Sequence, residues 1–346
     1  MKLNIRKTVL FIAAIFLLIL AIQVMKAGAG GLGFHLRDIF DFKNPLNTMG
    51  FGWLSATFIL SGSPIAASAL AFFDAGALNE MEAFTMLLGS RFGASFAVLL
   101  IGFLYHLRGH ERHKSISLGI LTLLMTYSIY IGGIAVGILF LKYDVLDFIQ
   151  FTLPGFLSDT IHVLFDPIVV GLTSRLNGWQ VFLVGFGIIM MGFKLFDDVL
   201  PKVNLRETRF KETSHYIYRP WIMFSLGFFI TLITTSVSVS LGLLVPLSAR
   251  GYIKVENLVP YIMGASISTF VDSLMVAILI ANPVAFTIVF VGIIGTALVS
   301  SVILVFFFHI YEKFLLDTLL IISRSNRNLT AFLAATFLIP VILLWI

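Results

Sequence analysis

Residues 60–90 read LSGSPIAASALAFFDAGALNEMEAFTMLLGS, and residues 235–265 read TSVSVSLGLLVPLSARGYIKVENLVPYIMGA. The two stretches align without a gap at a single shift, since 236 − 61, 251 − 76 and 264 − 89 all equal 175. The shift pairs Ser61 with Ser236, Ser63 with Ser238, Gly76 with Gly251 and Gly89 with Gly264. Each stretch sets small hydroxyl residues inside an apolar run. A helix broken in lipid exposes backbone N–H and C=O groups, so such a break persists only inside protein or against a wet cavity. A matched pair of breaks marks an internal repeat, and paired interruptions in apolar segments point to a binding site between repeats.

The rest of the chain fixes the class. Hydrophobic residues are 59% of the 346 and charged residues 12%, with a mean hydropathy of +1.01. A water-soluble domain cannot hide that much apolar surface. Runs such as 9–24 and 284–308 approach or exceed the ~20 residues that span a bilayer. The expectation is an all-α polytopic membrane protein, one transmembrane domain over 1–346. Residues 3–24 read as an uncleaved signal anchor, because Lys26 and glycines follow in place of a small-residue cleavage site. The absence of cysteine excludes disulfides and thiolate metal sites. A net charge of +5 fits basic loops on one membrane face rather than nucleic-acid binding. No Walker A pattern and no nucleophile pattern stand out, so neither ATP-driven transport by this chain alone nor an enzyme is expected.

Apolar segments fall at about 8–25, 51–74, 79–106, 115–141, 178–196, 221–248, 254–281, 284–310 and 329–346. A weaker stretch, 145–172, carries Asp147, Pro154, Asp159, Asp166 and Pro167. The serine-bearing segments 51–74 and 221–248 read as re-entrant helical hairpins with tips near 61–64 and 234–240. Loop charges set the topology. Lys2, Arg6 and Lys7 place the N-terminus in the cytoplasm, and Arg108, Arg112, Lys114, Lys202, Arg206, Arg209, Lys211, Arg219, Lys313, Arg324 and Arg327 all fall on the same face. Asp144, Asp147, Asp159 and Asp166 fall outside. The repeats, 50–107 and 225–281, are then inverted, provided 145–172 does not span; if it spans, they are parallel. Each repeat is expected to be a hairpin followed by a broken transmembrane helix, with breaks at Gly89-Ser90-Arg91 and Gly264-Ala265-Ser266.

These residues resemble the sodium–phosphate cotransporter family, type II and its bacterial relatives. In that family each of two inverted repeats carries a Gln-Ser-Ser-Ser motif and, further on, a Leu-Gly-Ala-Asn-Ile-Gly-Thr motif. Residues 242–274, GLLVPLSARGYIKVENLVPYIMGASISTFVDSL, are close to it in spacing and character, and 72–96, FFDAGALNEMEAFTMLLGSRFGASF, are more divergent. The likeness covers roughly a third of the chain. Leu60 and Thr235 stand where the family has glutamines, the serine triplets are thinned to Ser61-Gly62-Ser63 and Ser236-Val237-Ser238, and Arg91 and Ser266 stand where it has asparagines. The resemblance implies the fold, secondary transport of a small oxyanion such as phosphate, sodium as coupling ion, a homodimer and a prokaryotic plasma membrane. The lost glutamines motivate a second reading, a non-transporting scaffold or regulatory subunit on the same fold, or a transporter of another anion.

Oxyanions leaving water need donors, and hydroxyls and half-helix N-termini supply them. Ser61, Ser63, Ser236 and Ser238 are therefore candidate substrate ligands, with the alternative that small residues merely let helices pack closely. Arg91 joins them, since its planar fork suits an oxyanion. Sodium needs oxygens, for which Thr235, Ser266, Ser268, Thr269 and Asp272 are the candidates. Asp272 sits deep in an apolar run, where an ionisable group is a functional-site hypothesis by default. Arg91 and Asp272 either serve ligands separately or pair with each other. His106, His110 and His113 share a helix face but read as a solvated inner edge, and Asp74 as a solvated outer exit. Asp159 with His162 suggests hydrolytic chemistry only weakly, without a nucleophile beside it.

Overall fold

The computed structural model of the chain describes residues 5–40, 42, 44–107, 112–151, 153–199, 219–242, 244, 253 and 255–346. Among them the structure is helical throughout: α1 (Ile5–Phe40), α2 (Pro45–Ile59), α3 (Ser63–Asp74), α4 (Glu80–Leu107), α5 (Arg112–Lys142), α6 (Gly155–Thr173), α7 (Gly178–Val199), α8 (Pro220–Thr234), α9 (Val237–Gly242), α10 (Leu258–Ser268), α11 (Val271–Ile280), α12 (Pro283–Val302), α13 (Phe308–Ser323) and α14 (Asn326–Trp345). A π-helical segment, Ile303–Phe307, joins α12 to α13. Among the described residues eight helical stretches are long and apolar enough to cross a membrane, and the chain is a multi-pass integral membrane protein.

Local chemistry sets several helix starts. Asn44 and Asn47 form a reciprocal capping box ahead of Pro45 at the head of α2. Asn79 and Glu82 exchange backbone and side-chain bonds at the start of α4. Asn282 caps α12 ahead of Pro283, and Ser325 caps α14. Each cap satisfies N–H groups that the helix itself cannot.

Four boundaries differ from the sequence expectation. α1 does not end near residue 25 but runs 36 residues, about 54 Å at 1.5 Å per residue. Its glycines are contact points: Gly28 lies on Phe182, and Gly31 on Gly178. α4 passes through Gly89-Ser90-Arg91 without a break, because Gly89 is where the helix meets the Met49 carbonyl at close range. The second expected break falls at Thr269–Phe270 rather than at 264–266. The apolar stretch beginning at Pro283 continues through the π segment to Ser323.

Close contacts give the helix directions. α1 and α7 are antiparallel, with Gly185 on Met25 and Gly192 on Leu18. α4 and α5 are antiparallel through Gly119 on Leu99 and Gly137 on Phe84, as are α5 and α12 through Gly132 on Val299 and Gly133 on Thr296. α2 runs with α4: the Thr48 and Thr85 hydroxyls meet at 2.9 Å near both N-termini, and Gly93 lies on Trp53 and Thr57 further along. α8 runs with α10, since Pro220 shares a small cavity with Asn257 and Pro260, and Gly227 lies on Tyr261. The Arg37–Glu82 pair, 3.2 Å, ties the end of α1 to the start of α4. Residues 143–177 therefore leave and rejoin the bundle at one end. α6, within that segment, lies mostly exposed and touches α1 where Phe165 meets Phe16 at 4.8 Å between ring centroids.

Candidate functional site

The two short helices that follow the serine breaks begin differently. Leu60 adopts a left-handed conformation, φ 59°, and ends α2. Gly62 then opens α3 with no side-chain cap, so the helix presents uncapped N–H groups at its head. A β-carbon on Gly62 would meet the Ser90 carbonyl at 3.0 Å, which places this break directly on α4 beside Arg91. Thr235 is also left-handed, φ 49°, and ends α8. Its hydroxyl faces Asp197 at 3.4 Å, and the following Ser236 hydroxyl accepts from the Val239 N–H at 3.4 Å.

At the centre of the bundle lies a buried ion pair. Arg91 Nη2 sits 2.9 Å from Asp272 Oδ1, with the side chains 3% and 2% exposed. The Ser63 hydroxyl donates to Asp272 Oδ2. The Ser273 N–H donates to Oδ1 at 2.5 Å, and the Ser273 hydroxyl lies 3.0 Å from the same atom. Arg91 donates further to Ser273 Oγ and to Thr269 Oγ1, the latter at 3.4 Å. Its guanidinium carbon lies 5.0 Å from the centroid of the Phe270 ring, a cation–π arrangement. Arg91 Nε has no acceptor among the described residues.

The break between α10 and α11 builds this arrangement. The Phe270 N–H bonds to Ile267, three residues back, in place of Ser266. The Ser266 carbonyl so released accepts from the Tyr130 hydroxyl at 2.9 Å. α11 then starts at Val271, which puts Asp272 in its first turn, where the helix dipole favours a negative group. The head of α3 approaches the same carboxylate through Ser63. Two helix N-termini and one guanidinium thus converge on Asp272.

The sequence candidates divide accordingly. Ser63, Arg91, Thr269 and Asp272 meet in one cluster. Ser266 and Ser268 are buried, but their hydroxyls bond back to helix carbonyls, Ser266 to Ile262 at 2.8 Å and Ser268 to Ala265 at 3.3 Å. Ser61 lies half-buried at the first break, away from these bonds. The Ser238 side chain lies outside the described residues, as does that of His113, and so does His110 entirely. Among the described residues no three His, Asp or Glu side chains group as a metal site.

Sequence reasoning missed Ser273, Asp197 and Tyr130. Ser273 was legible as the neighbour of Asp272. Asp197 was hidden beside Asp198 at the end of an apolar run, where acidic residues usually mark the water boundary. Tyr130 gave no signal, since a tyrosine in an apolar helix looks like core. Asp74, expected to be solvated, is tied instead to Lys26 at 3.0 Å and accepts from Asn282 at 2.9 Å. Lys26 also donates to the Ile280 carbonyl at 2.8 Å, so this cluster locks α1 to the far ends of α3 and α11. It borders a cavity of about 400 Å³ that includes His162. His162 pairs with Asp166 at 3.3 Å on an exposed face, not with Asp159.

No protein-family model, curated protein or solved structure significantly matches the chain.

Proposed function

We propose that this chain is a cation-coupled secondary transporter of a small oxyanion, with phosphate as substrate and sodium as the coupling ion. The observation that carries the reading is the seat now filled by the Asp272 carboxylate. Its donors are a guanidinium, two hydroxyls, a backbone N–H and the heads of two helices, which is the donor set an oxyanion needs once it leaves water. In this reading an incoming oxyanion takes Arg91 and the serines. The displaced Asp272 carboxylate then faces the coupling ion, with the Thr235 hydroxyl and Asp197 nearby as further oxygens.

The architecture supports alternating access. Contacts recur at the shift found in the sequence: Gly52 on Met86 and Gly89 on Met49 in one place, Gly227 on Tyr261 and Gly264 on Phe224 in the other. Here 227 − 52, 261 − 86, 264 − 89 and 224 − 49 are all 175, and so is 235 − 60 for the two left-handed breaks. α10 and α11 run against α4, because α12 is antiparallel to α5 and α11 folds back onto α12, with Gly292 beside Phe270. Read this way, α2–α3 and α8–α9 are re-entrant hairpins of two inverted repeats, entering from opposite faces. The N-terminus is cytoplasmic.

A scaffold without transport draws support from the mutual neutralisation of Arg91 and Asp272. Radiolabelled phosphate uptake into proteoliposomes separates the two. The expected result is flux that rises with an inward sodium gradient and disappears in Ser63→Ala with Arg91→Gln. No sodium-dependent flux of phosphate or another small oxyanion would overturn the transport reading.

A further inference from the structure

Two cavities adjoin at one end of the bundle, away from the buried pair, and they share Ile116 and Leu329 as walls. One, about 360 Å³, is lined by Phe96, Leu99, Phe103 and Leu333, with His106 its only polar wall among the described residues. The other, about 220 Å³, is lined by Ser117, Ser323, Arg324, Ser325 and Asn326. The turn between α13 and α14 supplies most of the polar cavity, and α4, α5 and α14 supply the apolar one.

We propose that the pair of cavities is a binding site for an anionic phospholipid, with the headgroup phosphate in the polar cavity and an acyl chain in the apolar one. Three observations carry this. The Ser323 hydroxyl is buried on the wall of the polar cavity with no hydrogen-bond partner among the described residues. A buried donor left unmade is costly, and rotation of the Ser323 side chain into the cavity would let an oxyanion oxygen satisfy it. Arg324 is exposed there with no carboxylate partner among the described residues, and the head of α14, a 20-residue helix, points its dipole to the same place. The apolar cavity opens where Phe103 and Leu107 are 46% and 65% exposed, which in a membrane protein means exposed to lipid. A basic pocket between transmembrane helices at the membrane surface is suited to an anionic headgroup. A free phosphate would use only half of the site. The proposal does not depend on the transport reading.

The test is native mass spectrometry with thermal unfolding of the purified chain in detergent, titrated with phosphatidylglycerol, phosphatidylcholine or inorganic phosphate. Phosphatidylglycerol is expected to bind at one saturable site and raise the melting temperature, with phosphatidylcholine weaker and inorganic phosphate without effect. Arg324→Gln should weaken phosphatidylglycerol about fivefold, the value of roughly one cationic side chain at an anionic membrane surface, and leave phosphatidylcholine unchanged. Arg175→Gln, which removes an exposed cation near the start of α7, should change nothing. Leu333→Trp, which fills the apolar cavity, should weaken both lipids, provided its melting temperature without lipid stays at the wild-type value. If that variant does not fold, a photoactivatable acyl chain on wild-type protein replaces it and should label peptides around Phe103 and Leu333. Wild-type affinity in Arg324→Gln, equal stabilisation by inorganic phosphate, or labelling elsewhere would overturn the proposal.

Discussion

Asp272→Ala is expected to destabilise the protein by about 3–5 kcal/mol, the range for removing one partner of a buried ion pair. The reason is not the lost attraction alone. Arg91 is 3% exposed, and without Asp272 its charge stays desolvated against Phe270 with only hydroxyls for company. Arg91→Leu should lose a comparable amount, because the carboxylate is then left unpaired beside Ser63 and Ser273. Replacing both, Arg91→Leu with Asp272→Leu, should recover most of the loss, since exchanging a whole buried pair for apolar side chains is often neutral or better by roughly 1–4 kcal/mol. Unfolding in detergent, read as a double-mutant cycle, measures this. If the double variant is as unstable as the sum of the single ones, the two residues are not an energetic unit. The same variants separate stability from function. The double variant should fold and yet carry no oxyanion flux. Flux that survives in it would remove the Asp272 seat from the transport reading. A further sign is available: millimolar phosphate should partly restore Asp272→Ala, because a ligand bound to the folded state alone adds stability of about 2.7 kcal/mol at a hundred times its Kd.

How much of this was written in the chain depends on which residue carried the signal. The breaks at Leu60 and Thr235 were legible, because a hydroxyl cluster within an apolar run has few structural explanations in a membrane. The depth of Arg91 and Asp272 was legible for the same reason. Their mutual contact was one of two open readings, since pairing needs the separation between α4 and α11, which no local pattern encodes. Glycine misled in one direction throughout. Gly89 suggested a break, and the first apolar segment was expected to end near residue 25, before Gly28 and Gly31, yet all three glycines lie inside continuous helices. In each case the missing side chain serves an approach of two backbones, as small residues do between membrane helices, and the partner is distant in sequence. The place of the break at Thr269–Phe270 was not legible, because Ser266, Ser268, Thr269, Asp272 and Ser273 make the whole stretch polar without marking one position in it. Its cause is tertiary: Tyr130, on α5, takes the released Ser266 carbonyl.

That role of glycine gives the second large effect. Gly52→Ala and Gly227→Ala are each expected to cost about 3 kcal/mol or more, at or beyond the upper end for overpacking a core. A β-carbon at either place would overlap a backbone carbonyl oxygen, Met86's in one case and Tyr261's in the other. A side chain can rotate away from such a clash, but a helix backbone cannot, so α2 must move off α4, or α8 off α10. Gly187→Ala is the control. It lies in α7 with no neighbour within 4 Å of the added carbon, and it should gain up to about 1 kcal/mol from helix propensity alone. The comparison also bears on symmetry. Equal losses at Gly52 and Gly227 are expected if the two helix pairs are copies of one packing unit at a shift of 175. A tolerated Gly227→Ala would mean that α8 does not seat on α10 as described. Where the clash with Tyr261 does force α8 off α10, Gly227→Ala also loosens the helix that delivers Thr269 and the first turn of α11 to Arg91, so the proposed oxyanion binding at Arg91 should fall along with stability. Gly52→Ala acts on the other wall of the same site, through the α4 turn that carries Arg91. Both substitutions should therefore reduce function in proportion to the separation they force, although neither touches a ligand.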